Sequence, residues 1–435
     1  MSLSGLEIHP ERIALSNESH ARPFPVLQAP SSAASIAIER DLADPESDGY
    51  HLITLLDRYG AAHPAPYASH HSADLGKVRL KWERHSEFVT YTLFSDEVSD
   101  VPFSADLFKF LPADWRDKSP GRLLSSVLVR IEAAKTPTEV IERVHEIGPD
   151  WFFDDAMAAA FVLEKEAAIV GDFRLDEQGH IRFAVFQVGD TGGHRMGRIV
   201  QRLIEIETYK TMSMLTLPIA RDVFARLSDL DHDLGDVVSG MIEETDNSQQ
   251  ELNHLLDISS KVESFSAETA FRFTAAEAYS ALVYSRVSVL REERLSGYQL
   301  FSEFMMRRFE PAMRTCRSAS ARLADISGRA ARASRLLGTR VSVQVNDQNR
   351  KILETMNRRA ALQLRLQETV EGLSVVAISY YAVNLLMKLL FPFGQQIGLN
   401  ENWVGALVVV PVVITVWMMV RNFRKMAEKR NGGDL

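Results

Sequence analysis

Two apolar runs near the C-terminus, residues 373–394 and 403–420, limit what this chain can become more than any other feature. A helix needs about 20 apolar residues to cross a hydrocarbon core of roughly 30 Å, and both runs are of that order. Trp403 and Trp417 lie near the ends of the second run, where indoles favour the membrane interface. Pro411 sits inside it, a position tolerated in a transmembrane helix and damaging in a soluble one. We therefore expect a two-helix transmembrane hairpin within 371–421, with helices over about 373–393 and 403–420. Arg358, Arg359 and Arg365 precede it, and Arg421, Arg424, Lys425, Lys429 and Arg430 follow, whereas the loop 394–402 has neither lysine nor arginine. Positive charge stays on the cytoplasmic side, so both chain ends are expected in the cytoplasm.

The rest of the chain is long enough for two or three structural units, since 435 residues exceed one ordinary core. A single cysteine, Cys316, cannot form an intramolecular disulfide, which fits a reducing compartment. The net charge of -9 argues against a nucleic-acid partner, which calls for a basic field. The N-terminus lacks a basic stretch followed by an apolar one, so membrane attachment is expected from the C-terminal runs.

Residues 1–195 read as a cytoplasmic α+β domain with a mixed, partly antiparallel sheet. Strands are expected at 35–41, at 79–94 as a strand or strand pair, and at 123–133, from β-branched and aromatic alternation. Thr136-Pro137-Thr138-Glu139 marks a helix start. Asp176-Glu177-Gln178-Gly179 separates two apolar segments and signals a hairpin. From 196 to 370 strand signals vanish, and a long helical stalk is expected. Met196, Ile199, Leu203, Ile206 and Met214 share one face, and Leu323, Ile326, Ala330, Ala333 and Leu337 repeat at coiled-coil-like spacing. Residues 422–435 form a basic cytoplasmic tail.

Candidate chemistry is sparse. Asp229, Asp231, Asp233 and Asp236 form an acidic stretch, but counting from Asp229 puts Leu234 where a calcium loop needs glycine and Gly240 where it needs glutamate. A solvated helix face or weak divalent-cation binding are its two readings. His70, His71, Asp74 and His85 are candidate metal ligands, although adjacent histidines on a strand point to opposite faces. The Gly-rich stretch 189–198 before a helix offers amides to an anion, yet matches no phosphate-loop motif. No catalytic residue or cofactor is indicated, and Cys316 reads as a packing residue.

In the first membrane run Ser374, Ala377, Tyr381, Asn384 and Lys388 recur at steps of 3 and 4, making a small-or-polar stripe. Such a stripe lines either a helix–helix contact or a pore. Tyr381-Ala382-Val383-Asn384 resembles the Tyr-Gly-Met-Asn signature of CorA-type magnesium channels. Asn384, however, lies eleven residues after Leu373, about 17 Å along a helix and near mid-bilayer.

Residues 17–24 (NESHARPF), 71–92, 202–210 (RLIEIETYK) and 371–381 (EGLSVVAISYY) resemble a family of mainly proteobacterial, membrane-anchored proteins known only as a domain of unknown function. That resemblance implies a cytoplasmic domain with a C-terminal anchor, and no activity. The layout is also similar to CorA-type transporters. The expectation is a multi-pass protein of the bacterial inner membrane, a scaffold or signalling protein whose partners are the lipid bilayer and further copies of itself. A divergent CorA-like divalent-cation channel is the alternative.

Overall fold

The computed structural model of this chain describes residues 24–66, 68–240, 248–396 and 401–431, together with His9, Glu11 and Arg12. The acids at 243, 244 and 246, most of the 17–24 segment and part of the inter-helix loop lie outside them. Two compact units emerge, residues 1–334 and 335–435.

The first unit is built on one nine-stranded sheet. Its strands are β1 (Ser31–Glu39), β2 (His70–Asp74), β3 (Arg79–Arg84), β4 (Phe88–Ser95), β5 (Leu123–Ala134), β6 (Ala158–Val162), β7 (Ala167–Gly171), β8 (Ile181–Val188) and β9 (Glu293–Arg294). Their order is β2-β3-β4-β1-β5-β8-β7-β6-β9. Every described pairing is antiparallel except β5 with β8. The sheet is thus mixed, as expected.

Two halves meet at the antiparallel β1–β5 pair. In each, a strand is followed by a helix and a three-strand meander, which returns so that its last strand lies beside the first. The helices are α1 (Ser47–Tyr59) and α2 (Pro137–Trp151). Thr136 caps α2, its hydroxyl accepting from the Glu139 amide, as the sequence predicts. The halves differ in one respect: β1 runs antiparallel to β4, whereas β5 runs parallel to β8. The connection through α2 is a true crossover, which a parallel pair requires.

Alternation along the strands sorts side chains between two faces. On one, Leu52, Leu55 and Leu56 of α1 join Ile36, Trp82 and Tyr91, and Val140, Val144 and Trp151 of α2 join Phe161, Val170 and Phe186. The other face lies under α3 (Gly193–Met214), which contacts β1, β5 and β8 and buries Met196, Ile199, Val200, Leu203 and Ile206. Then come α4 (Thr216–Gly240) and α5 (Ser248–Val289), which packs on both α3 and α4. The segment read as the start of a stalk therefore opens with a helix that closes over the sheet.

The Gly-rich stretch before α3 has a packing purpose. A Cβ on Gly197 would stand 1.6 Å from the Pro25 carbonyl oxygen, and one on Gly193 3.0 Å from that of Leu27. The Leu27 amide in turn donates to Gly193 O at 3.1 Å. Glycines here let the chain at 25–27 run directly against the helix.

A single helix, α6 (Glu310–Gln396), begins in the first unit and ends in the second, and α7 (Glu401–Asn431) follows. Leu323, Ile326, Ala330, Ala333 and Leu337 of α6 are all buried. Beyond them, through residue 370, nearly every residue is exposed.

Candidate functional site

Between the sheet and α3 lies a cavity of about 330 Å³, with Lys81, Glu83, Thr90, Phe88 and Phe94 as its floor. Gln201, Arg202, Glu205 and Tyr209 of α3 and Arg286 of α5 form the opposite wall. The floor follows from strand register. Lys81 pairs with Thr92 and Glu83 with Thr90, so these alternate residues share one face while Trp82 and Tyr91 point into the core behind.

The wall carries a chain of charge-assisted contacts. Lys81 is only 6% exposed. Its Nζ donates to Gln201 Oε1 at 2.9 Å and pairs with Glu83 Oε1 at 3.2 Å. Gln201 Nε2 donates to Glu205 Oε1 at 2.7 Å, and Glu205 Oε2 accepts from Arg286 Nε. Buried charges persist when each is matched in this way. Among the described residues Arg202 has no carboxylate salt-bridge partner; it reaches the Val289 carbonyl at 3.5 Å. Burial, then the neighbouring Arg198 and Arg286 guanidiniums, lower its pKa from the usual arginine value, partly offset by the Glu205 carboxylate. Three cations and two carboxylates thus line the cavity. Thr90 Oγ1 is buried there without a hydrogen-bond partner, a group that a bound polar atom would satisfy. Phe88 stacks on His85 at 4.3 Å and meets Tyr209 edge-on at 6.3 Å, giving the cavity an aromatic end. This suits a small organic anion with a flat or apolar body.

The sequence-derived metal candidates do not converge. His70 stands opposite Glu83 and His71 opposite Trp82, on opposite faces of the sheet as adjacency requires. His71 Nε2 is 2.8 Å from the Ala62 carbonyl, and Asp74 Oδ1 accepts from the Gly76 amide in the turn to β3. Among the described residues no three His, Cys, Asp or Glu side chains gather as metal ligands. In α4, Asp231 pairs with Arg329 at 2.5 Å and with Arg322 at 3.3 Å, both on α6. Asp236 lies 3.6 Å from His232. The same helix carries Asp229 and Asp233.

In the second unit, α6 and α7 each hold a stretch long and apolar enough to span a membrane. They meet along a seam in which Val408 and Val412 pack against Ala382, Val383 and Met387, with Ser379 also buried. Ser374, Tyr381, Asn384 and Lys388 are exposed. At about 100° per residue the stripe they form is centred about 180° from the seam. The stripe faces directly away from α7.

A family model described as "Protein of unknown function (DUF3422)" matches residues 7–427. The chain belongs to that family. No curated protein and no solved structure matches it. In this DUF3422 member the cavity joins Lys81 to Arg286 through sheet pairing and helix packing, so no local motif announces it. The one local trace was the polar set at alternate positions of β3 and β4, set against an apolar set between them.

Proposed function

We propose that this DUF3422 member is a signalling protein anchored in the bacterial inner membrane. Its sheet-bearing unit stands in the cytoplasm, α6 and α7 cross the bilayer as a hairpin with both chain ends cytoplasmic, and copies associate through the stalk and membrane helices. A pure scaffold has no need of a charged cavity between sheet and helices. The observation that carries the signalling reading is Arg202, half-buried in that cavity and, among the described residues, with no carboxylate at salt-bridge distance, although Glu205 acts on it from further off. A small carboxylate with an apolar body would pair with it, while its body lies against Phe88 and Phe94.

Calorimetry on the full chain in detergent tests this, with benzoate as the probe and benzamide as its neutral counterpart. Benzoate is expected to bind and benzamide not. Arg202→Gln is expected to weaken benzoate about 10- to 100-fold, from the 1.5–3 kcal/mol of a hydrogen bond to a charged group. Equal binding of the two probes, or binding indifferent to Arg202, would overturn the reading.

A second reading, a divergent CorA-like divalent-cation channel, is favoured by the position of Asn384 on a polar face turned away from α7. Lys388 on the same face opposes it by putting positive charge beside a cation path. Flux of Mg²⁺, Ni²⁺ or Co²⁺ into proteoliposomes separates the two. No flux from well-reconstituted protein removes the channel, and flux abolished by Asn384→Leu removes the plain anchor.

A further inference from the structure

The exposed length of α6 between positions 341 and 373 is not featureless. Val345, Ile352, Met356, Leu366, Val370 and Leu373 are between 48% and 74% exposed. At about 100° per residue they fall within roughly one third of the helix circumference. The other four large exposed aliphatics of this segment, Val343, Leu353, Leu362 and Leu364, are spread round the rest. Charge gives the sharper contrast. Of the nine charged residues between 341 and 373, eight lie off this face, and Arg359 is the exception.

Continuing the same helical phase past 373 leads onto Ser374, Ala377, Tyr381, Asn384 and Lys388. The apolar face of the lone segment and the polar stripe of the membrane segment are one face. It runs from Val345 to Lys388, about 65 Å at 1.5 Å per residue, and is centred opposite the α7 seam throughout the membrane part. Its chemistry reverses where its surroundings reverse. Below the first membrane run, where water is the solvent, the face is mainly apolar, interrupted by Gln348, Thr355, Arg359 and Gln363; within the run, where lipid is the solvent, it is small and polar. Each half is the kind of surface its own solvent disfavours. A lipid coat satisfies only the first half and water only the second. An occupant must itself pass from aqueous apolar contact to intramembrane polar contact at the same level.

A second α6 lying parallel has that reversal by construction. We propose that α6 of one copy pairs in parallel register with α6 of another copy of this chain along this face, from Val345 to Lys388, with each α7 on the outside. Asn384 then meets Asn384, an amide able both to donate and to accept. This deepens the self-association named above and rests on the same membrane anchoring.

Cysteine cross-linking of the full chain in native membranes tests it. Cys316 is the sole cysteine and is buried, so a Cys316→Ala background leaves only introduced thiols. Ile352→Cys, Leu366→Cys and Ala377→Cys lie on the face; Glu354→Cys and Arg358→Cys lie off it; all five positions are exposed. Mild oxidation is expected to give disulfide-linked dimers at least tenfold more readily at the three on-face positions. Adding Asn384→Leu is expected to reduce the Ala377→Cys yield several-fold. Carbonate extraction of the same membranes reports anchoring separately. A chain that washes off has lost its anchor reading. A chain that stays bound, yet cross-links equally on and off the face or at none of the five positions, overturns parallel pairing.

Discussion

His51 shows what burial does to a single titratable group here. Its ring stacks on Trp115 at 3.9 Å and is 7% exposed, and burial lowers its pKa from 6.5 to about 4. As pH falls, the unfolded chain takes up the proton first, so this group's contribution is intact above pH 6.5 and is lost progressively toward pH 4. At about 1.4 kcal/mol per pH unit the loss reaches about 3 kcal/mol. Urea unfolding of wild type and His51→Leu across pH 7 to 4 should show a shallower decline in the variant. Nearby, Asp48 is 2% exposed and held by Arg40 at 2.9 Å and Arg84 at 3.3 Å. Removing it takes the shared carboxylate from two guanidiniums and leaves Arg40 only backbone carbonyls, so Asp48→Ala should destabilise the sheet unit by about 3 kcal/mol in the same assay.

At the level of elements, legibility tracked local signal. The alternation in 79–94, the Thr136 cap and the turn before β8 each encode their structure within a few residues, and each is present. Residues 158–162 form a buried strand from an alanine-rich sequence, where neither β-branching nor polarity marks the faces. Residues 47–59 form a helix without a side-chain N-cap, so its start is unmarked. The cavity was harder still, because register and the docking of α3 and α5 assemble it from positions up to about two hundred residues apart. That docking depends on Gly197: with no room beside the Pro25 carbonyl, Gly197→Ala should destabilise by about 1–3 kcal/mol and lower Tm. In α4 the pairing of Asp231 with two arginines gives the acidic stretch a structural outlet. Its residues are too exposed for a large effect, so Asp231→Ala should cost under about 1 kcal/mol in thermal unfolding.

The two apolar helices govern the molecule as a whole. If they lie in a bilayer, an arginine at the centre of α7 disfavours insertion by about 2.5–3.5 kcal/mol. Val410→Arg should therefore lower the share of protein that resists carbonate extraction, while a substitution on the sheet such as Lys81→Gln leaves that share unchanged. The ends of the sheet add a constraint of another kind. At one end β9 contributes two residues, Glu293 and Arg294, both exposed. At the other, β2 has five, beginning with two histidines and closing on Asp74. Edges this short and this charged are poor templates for a neighbouring strand. If copies are crowded on one membrane surface, as proposed, they would thus find little backbone to add to, and their sheets would stay separate.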